Sequence, residues 1–396
     1  MTNWQIALLA AYGVVVAAAW ARHWLVTRET RATPKLDRRS PGVGTNAAKV
    51  SILVPAKDEA AGIGLCLDAL LAQDHPNFEA LVIDDRSADG TAEVVGRRAS
   101  ADPRLKLLSI KDLPPGWTGK THALHWGQQH ADGAWLLFVD ADTTAHPHCV
   151  SAAVRHAEDA GIDLLTALPA IEVGSFWEGV AQPFLGVTLA FLFPPTAVND
   201  PRNARAAFAN GQFILIRRTA YDRIGGHEAV RGKFVEDIHL GRRTRAAGLA
   251  LRLALAPDLL RVRMYSSVSG IVKGWSRILY AAEEPSTRRL WLLVAMMTTF
   301  SLTCYVAVLG GGLAWWLGAG GAFARSAFLL GVLHAVGQES VFARTYRQSG
   351  VPLRYLAWRF LAVGIAFWIV FRAIRLCATR RVEWRGTVYG KDLGAH

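Results

Sequence analysis

Four long apolar runs constrain this chain of 396 residues more than any other feature of its sequence. They cover residues 4–26, 290–317, 323–336 and 355–371. The first run has Arg22 as its one Lys, Arg, Asp or Glu residue, and its length is sufficient to span a bilayer, which takes about 20 residues. So many apolar segments are unusual for a soluble protein, and we therefore expect a chain that is part membrane and part globular.

Composition supports this division. Hydrophobic residues make up 52% of the chain and charged residues only 19%, compared with roughly 25% in an average soluble protein. These values exclude a disordered chain and a disulfide-stapled secreted scaffold. The four cysteines form no CxxC pair, which fits a reducing cytoplasm. The net charge is +12, but the basic residues crowd around the apolar runs without a pattern of stacking aromatics, so we expect no nucleic-acid partner.

Basic residues also predict the orientation of the chain. Arg28, Arg31 and Lys35 follow the first apolar run and none precedes it, so we expect a membrane anchor and not a signal peptide. The positive-inside rule places residue 27 onward in the cytoplasm, at the inner membrane. Three C-terminal crossings would put the tail outside, yet its arginines favour the inside. We therefore expect two or three C-terminal crossings, with one segment re-entrant or interfacial if the tail lies inside. The arginines concerned are Arg372, Arg375, Arg380, Arg381 and Arg385.

Between residue 49 and about residue 269 the pattern changes to short apolar runs separated by stretches with helical spacing. Strand-length runs occupy residues 50–55, 79–83, 105–110 and 135–139. Strands that alternate with helices predict an α/β fold with a parallel sheet covered on both faces. Ligands of such folds bind beyond the carboxyl ends of the strands, and acidic residues follow three of these runs. The glycine-rich fingerprints of dinucleotide-binding and P-loop proteins are absent from the sequence, which disfavours a dehydrogenase.

Several polar residues at these strand ends admit both a functional and a structural interpretation. Asp140 and Asp142 could bind a hard divalent cation whose shell a nucleotide diphosphate completes, or could lie in a solvated turn. Asp84 and Asp85 could cap the next helix or hydrogen-bond a nucleoside. Lys120, between a glycine and a helical stretch, could meet a phosphate or be an exposed surface lysine.

Glu236 and Asp237 begin a stretch with helical spacing. Carboxylates at a helix N-terminus are favoured by the helix dipole, which is one explanation of the pair. The other is that Asp237 acts as a general base toward an acceptor hydroxyl, because a base requires a correctly placed carboxylate with a suitable pKa. Position in the sequence leaves both explanations open.

The motifs VSILVPAKDE, LVIDDRSADGT, FVDADT and FVEDIHLGRR occur in this order. Over about residues 50–274 they resemble the family 2 glycosyltransferases, which have a GT-A fold. LPPGWTGKTHAL, at residues 113–124, and the WRG-x-x-Y ending, at residues 384–389, resemble the membrane-bound branch that glycosylates lipids such as hydroxy-carotenoids, hopanoid-like compounds and ceramides. The resemblance implies a UDP-sugar donor, a divalent metal (Mn²⁺ or Mg²⁺) and inversion at the anomeric carbon.

The resemblance also implies roles for individual residues. Asp237 would be the base, with Glu236 beside it, and Asp140 and Asp142 would handle the donor diphosphate and the metal. The donor nucleotide would be bound by Pro55, Asp58, Asp85, Lys120 and Asp140, and the donor or acceptor pocket would include Gly211, Gln212 and Trp275. Processive polysaccharide synthases carry QxxRW after the base, whereas residues 270–277 here contain Trp275 without that Gln and without an Arg before the Trp. This departure argues against polymer synthesis.

The sequence therefore predicts a membrane-anchored inverting glycosyltransferase that moves one sugar from a UDP-sugar to a hydroxyl of a lipid acceptor on the cytoplasmic side. The predicted segments are an N-terminal transmembrane helix (1–27), a basic linker (28–49), a GT-A domain (50–282), a C-terminal membrane region (283–376) and a basic tail (377–396). The alternatives are a processive polysaccharide synthase and a non-enzymatic membrane scaffold with an inactive nucleotide-binding domain.

Overall fold

The computed structural model of the chain describes residues 1–282, 286–379, 382–384 and 387–389. These residues divide into two compact units, each with its own packing. The membrane-helix unit is formed by residues 1–32, 173–189 and 266–378, and the sheet unit by residues 33–172, 190–265 and the described residues after 378. Residues 173–189 and 266–282 thus group with the long apolar helices, although both fall within the predicted GT-A domain of 50–282.

The sheet unit contains strands of three to eight residues and one two-residue strand, joined by short helices. Its strands are β1 (Val50–Ala56), β2 (Phe78–Asp85), β3 (Leu105–Ile110), β4 (Trp135–Phe138), β5 (Thr143–Ala145), β6 (Leu164–Leu168), β7 (Ala170–Ile171), β8 (Ile214–Arg217), β9 (Leu251–Leu255), β10 (Leu260–Val262), β11 (Val382–Trp384) and β12 (Thr387–Tyr389). Its helices are α2 (Ile63–Leu71), α3 (Thr91–Ala99), α4 (Gly119–Gln128), α5 (Cys149–Asp159), α7 (Pro195–Asn199), α8 (Arg218–Arg223) and α9 (Glu236–Ala246).

Among the described residues the main sheet has the strand order β3-β2-β1-β4-β8-β6-β9. Strands β1 to β4 pair in parallel, as do β6 and β9. Strand β8 is antiparallel to both of its neighbours, β4 and β6. The predicted α/β fold is confirmed, and the four strands predicted from apolar runs, β1 to β4, pair in parallel as expected. The sequence analysis did not predict β8, the antiparallel strand of this sheet.

Both faces of the parallel strands are covered, as alternation of strands and helices requires. Ile52 and Val54 of β1 lie in the core cluster that includes residues of α2 and α5. Leu53, which points to the opposite face, lies against Gly127 of α4 together with Ile83. A Cβ atom at Gly127 would lie 2.6 Å from Ile83, so only glycine lets α4 pack this closely on the sheet.

A small sheet in the order β5-β10-β7 lies beside the end of β4. Its strand β5 begins immediately after Asp142, and the backbone oxygen of Asp142 accepts a hydrogen bond from the Arg263 amide at 3.3 Å. This contact fixes the short segment that carries Asp140 and Asp142.

The membrane-helix unit consists of helices joined by short connections. They are α1 (Asn3–Ala32), α6 (Phe176–Leu192, whose last three residues group with the sheet unit), α10 (Val268–Ala282), α11 (Thr287–Met297), α12 (Thr303–Trp316), α13 (Gly321–Gln348) and α14 (Arg359–Thr379). A π-helical turn (Thr298–Leu302) joins α11 to α12, and a 3₁₀ helix (Leu353–Trp358) precedes α14.

Within the described part of the chain four helical segments are long and apolar enough to cross a membrane: Asn3–Ala32, Thr287–Trp316, Gly321–Gln348 and Leu353–Thr379. The predicted N-terminal helix and the predicted C-terminal apolar helices are therefore confirmed. Small residues let α12 and α13 approach closely, since a Cβ atom at Gly331 would lie 2.8 Å from the Cβ of Ala307. Such contacts are a common way for apolar helices to associate in lipid.

Candidate active site

The loops after β1 and β2 interlock at the carboxyl edge of the sheet. Asp58, three residues after Pro55 of β1, accepts a hydrogen bond from the Ala88 amide at 2.9 Å, and its own amide donates to Ser87 Oγ at 3.0 Å. Asp58 and Arg86 both have left-handed backbone conformations, with φ of 53° and 59°. Strained non-glycine residues of this kind concentrate at ligand sites.

Asp85, the last residue of β2, is 4% exposed and points toward the first turn of α4. Arg86 holds its carboxylate through two hydrogen bonds, Nε to Oδ1 at 2.7 Å and Nη2 to Oδ2 at 3.0 Å. A Cβ atom at Gly119 would lie 2.2 Å from Asp85 Oδ2. The adjacent Asp84 accepts from the Ser87 amide at 3.3 Å, so Asp84 stabilises the turn while Asp85 faces α4.

Lys120, in the first turn of α4, joins two acidic segments that are distant in sequence. Its Nζ lies 2.7 Å from Asp140 Oδ1 and 2.8 Å from Glu236 Oε1. Burial lowers the pKa of Lys120, but the carboxylates of Asp140, Glu236 and Asp237 outweigh burial and hold that pKa well above its usual range. The alternative of an exposed surface lysine is therefore wrong.

The first turn of α4 is fixed by contacts that sequence analysis missed. Thr118 is the N-cap, and its Oγ1 accepts from the Thr121 amide at 3.3 Å. The Arg231 carbonyl accepts from the Thr118 amide at 3.0 Å and from Thr121 Oγ1 at 2.6 Å. A threonine before a helical stretch is a recognisable N-cap signal, whereas a backbone acceptor 110 residues away in sequence leaves no signal at all.

Asp237 lies at the start of α9, where its carboxylate is oriented by two backbone amides. Gly211 donates to Oδ2 at 2.8 Å, and Ile238 donates to Oδ1 at 2.8 Å. Burial, followed by repulsion from the neighbouring Glu236, raises the pKa of Asp237 to about 7, although Lys120 opposes the rise. The Ile238 contact is the helix-terminus interaction that one prediction offered, but the Gly211 contact ties the carboxylate to a loop outside α9.

Gly211 marks the point where these charged groups converge. A Cβ atom there would lie 2.9 Å from Lys120 Nζ, 3.2 Å from Asp237 Oδ2 and 3.7 Å from Asp140 Oδ2. The predicted residues Lys120, Asp140, Gly211, Glu236 and Asp237 therefore form one cluster. We call this set the acidic cluster.

Two further predicted residues lie apart from these contacts. Gln212 is 8% exposed and accepts a hydrogen bond from Asn210 Nδ2 at 2.9 Å. Trp275 belongs to α10 in the membrane-helix unit, where its Nε1 donates to Gln182 Oε1 at 3.0 Å. The indole is 5% exposed. Arg385 and Gly386, within the predicted 384–389 motif, lie outside the described residues.

The residues suited to hold a divalent cation are Asp140 and Asp142, which offer hard carboxylate oxygens one residue apart. No set of three His, Cys, Asp or Glu side chains in the described ranges is arranged as a complete metal site. The two carboxylates fit Mg²⁺ or Mn²⁺ by donor chemistry, but they would need further oxygen ligands from a bound molecule.

The strand order and the interlocked β1 and β2 loops fit a fold of the GT-A type. Residues 51–225 match the family model described as Glycosyl transferase family 2.

Curated relatives and a solved structure are also similar to this chain. The 4,4'-diaponeurosporenoate glycosyltransferases of Staphylococcus aureus are similar to it, at 28% identity over 236 residues for strain MRSA252 and 26% over 235 for strain USA300. The aligned region is 59% of this chain and 61% of each relative, so the likeness spans less than two thirds of their length. A mannosyltransferase from Pyrobaculum calidifontis, solved with GDP-Man and Mn²⁺, has a similar fold with a TM-score of 0.51 and 19% identity, over 94% of this chain and 96% of that one.

Proposed function

We propose that this protein is a membrane-anchored inverting glycosyltransferase that moves one sugar from a UDP-sugar to a hydroxyl of a lipid acceptor on the cytoplasmic side. The observation that carries the proposal is the acidic cluster, in which Lys120 pairs with Asp140 and Glu236 while Gly211 holds Asp237. An inactive scaffold has no need of such an arrangement. The lipid acceptor is supported by membrane-length helices in the same chain and by relatives named for 4,4'-diaponeurosporenoate.

The donor would lie along the carboxyl edge of the sheet. Pro55, Asp58 and Asp85 would contact the nucleoside, and Asp140 and Asp142 would contact the diphosphate. A divalent cation held by Asp140 and Asp142 would offset negative charge on the departing diphosphate. Mn²⁺ in the complex of the Pyrobaculum calidifontis enzyme supports this choice. Lys120 adds a positive charge at the same place, because its ammonium lies within 2.7 Å of Asp140.

Asp237 would accept the proton of the acceptor hydroxyl. As that oxygen forms a bond to the anomeric carbon, the bond from that carbon to the diphosphate oxygen breaks, and attack from the opposite face inverts the configuration. The Gly211 and Ile238 amides keep the carboxylate in one orientation. Its raised pKa makes Asp237 a stronger base than an ordinary aspartate, which suits proton abstraction near neutral pH.

The proposal is tested with the purified full chain, a panel of UDP- and GDP-sugars and a total membrane lipid extract. Mass spectrometry should detect a lipid whose mass has increased by one sugar, with one nucleotide preferred. A product with many sugars would support a polysaccharide synthase instead. Binding of nucleotide sugars without any product would support the scaffold alternative.

A further inference from the structure

Helix α14 packs along the α11–α12 segment in the antiparallel direction. At its start, the Arg359 guanidinium lies 5.3 Å from the centre of the Tyr305 ring in α12. Near its end, the Phe371 and Trp291 rings are 6.0 Å apart, and Trp291 belongs to α11. Residues 291 to 305 rise by about 21 Å in helical conformation, and residues 359 to 371 by about 18 Å. Helix α14 therefore follows the α11–α12 segment backwards, toward the end where α11 begins.

The directions of the other helices show which helix ends lie at the same end of the membrane-helix unit. Helix α1 is parallel to α13, because Trp4 packs on Phe323 and His23 Nδ1 lies 2.6 Å from Ser340 Oγ. Helix α12 is antiparallel to α13: Ala307 lies beside Gly331, and Trp315 packs on Phe328. The last turns of α1 and α13 and the first turn of α11 therefore share one end of the membrane-helix unit.

From these directions we infer that residues 353–379 form a re-entrant segment and do not cross the membrane. The chain leaves α13 at the shared end, turns through the 3₁₀ helix, starts α14 beside Glu339 and Phe342, and returns to the end that it left. Of the four candidate spans in the described ranges, three then cross. The end of α14 then lies on the same side of the membrane as the end of α1, whatever the reaction that the sheet unit catalyses.

Contacts around Arg359 explain how a helix can begin inside the unit. The Arg359 side chain is 1% exposed, and its Nε donates to Glu339 Oε1 at 2.5 Å. The Phe342 ring lies 4.9 Å from the guanidinium carbon. A charged residue at membrane depth is tolerated when it is paired within the protein. The most apolar window of this segment is 39% buried in the protein, compared with 11% for α1, so its surroundings are more protein and less lipid.

Charge distribution along the chain agrees with a re-entrant segment. The shared end gathers basic residues from the ends of four helices: Arg28, Arg31, Arg288, Arg289, Arg347, Arg372 and Arg375. The connection at the other end, residues 317–320, has no charged residue. A crossing by α14 would move Arg372 and Arg375 to that side, where Arg325 is the one Lys or Arg of residues 313–328, against the positive-inside rule. The basic residues of the shared end form a surface suited to the anionic headgroups of one leaflet.

The test uses the full chain in sealed vesicles of both orientations, with its four native cysteines replaced by serine. Single cysteines are introduced as Ala32→Cys after α1, Ala319→Cys between α12 and α13, and Ala378→Cys at the end of α14; all three alanines are exposed. A membrane-impermeant maleimide should label Ala32→Cys and Ala378→Cys in the same vesicle preparation and Ala319→Cys in the opposite one.

Labelling of Ala378→Cys together with Ala319→Cys would overturn the inference and establish a fourth crossing. Arg375→Cys, one turn earlier and also exposed, repeats the measurement if Ala378→Cys does not accumulate. Each variant is labelled again after detergent solubilisation, so that absence of reaction reports protection and not loss of protein. The result does not depend on catalysis, so it stands or falls separately from the proposed glycosyl transfer.

Discussion

At the scale of single residues, the acidic cluster concentrates opposite charges around one glycine. Lys120 pairs with Asp140 and Glu236, and Asp237 is held by two backbone amides instead of by a cation. This difference leaves Asp237 as the carboxylate of the cluster that is oriented but not neutralised by direct ion pairing. Such an arrangement suits a group that must accept a proton during a reaction.

Replacement of Asp237 by Asn should therefore abolish most transfer. The amide keeps the size of the side chain but cannot accept the acceptor proton, so turnover should fall by about two to four orders of magnitude, the usual contribution of general-base catalysis. Donor affinity, measured by calorimetry, should stay within a few-fold. Asp258→Asn, at an exposed turn of the same unit, is the matched control. Near-normal turnover with a lower melting temperature would leave Asp237 with only its helix-terminus role.

The pH dependence of the reaction should reveal the same group. Because the pKa of Asp237 is raised to about 7, the carboxylate that acts as base is lost by protonation as pH falls through that value. We expect kcat/KM to rise with pH through the neutral range and then level off. A flat profile between pH 5.5 and 8.5 would show that no such group limits the reaction, since an ordinary aspartate titrates at about 4.

Asp142→Asn tests the divalent cation. The variant removes one of the two carboxylates that would hold it, so nucleotide binding should lose its dependence on added Mn²⁺ or Mg²⁺. EDTA should inhibit the unmodified protein, and added metal should restore it. Full turnover in EDTA, or in the variant, would contradict a metal at this position.

At the scale of elements, α4 presents Lys120 at one position and contacts Asp85 at the position before it. We predict that Gly119→Ala weakens nucleotide binding, because its Cβ would lie 2.2 Å from Asp85 Oδ2 and must displace that carboxylate. Gly96→Ala in α3 is the matched control, since nothing lies within 4 Å of its Cβ position. Calorimetric titration with UDP should separate the two variants. Equal UDP affinities of the two variants would contradict a contact between Asp85 and the nucleotide.

The elements also show what the sequence could predict and what it could not. Strands β1 to β4 were found because buried parallel strands are continuous apolar runs. The pairing of Lys120 with Glu236 could not be predicted from the sequence, because these residues are 116 positions apart and no local pattern connects them. The same limit applies to the membrane helices. Hydropathy predicted the position of α14 in the sequence but gave no information about the direction in which it packs on α11 and α12.

At the scale of the whole molecule, the ion pair between the buried Arg359 of α14 and the half-buried Glu339 of α13 should stabilise the membrane-helix unit. Glu339→Gln leaves the Arg359 guanidinium without its carboxylate partner. Because the Glu339 side chain is 35% exposed, we expect a cost below that of a fully buried pair, which is about 3–5 kcal/mol. Thermal unfolding in detergent should therefore occur at a lower temperature. The control variant Glu93→Gln, at an exposed position in α3, should leave the unfolding temperature unchanged.

The double variant Glu339→Leu with Arg359→Met separates the pair from the packing around it. Apolar replacements of both members of a buried pair are often neutral, so the double variant should recover most of the stability lost in Glu339→Gln. Stability that stays low in the double variant would assign the effect to packing of the side chains and not to their charges.

The turn between α12 and α13 has a consequence for what this protein presents on one side of its membrane. It consists of Leu317, Gly318, Ala319 and Gly320, a stretch without lysine or arginine and with little for an antibody to recognise. Trypsin added from that side would find no cleavage site in the turn, whereas the opposite side offers arginines at the ends of four helices. With α14 returning to its starting side, Arg325 in the first turns of α13 is the one Lys or Arg of residues 1–10 and 313–328 at this end of the membrane-helix unit.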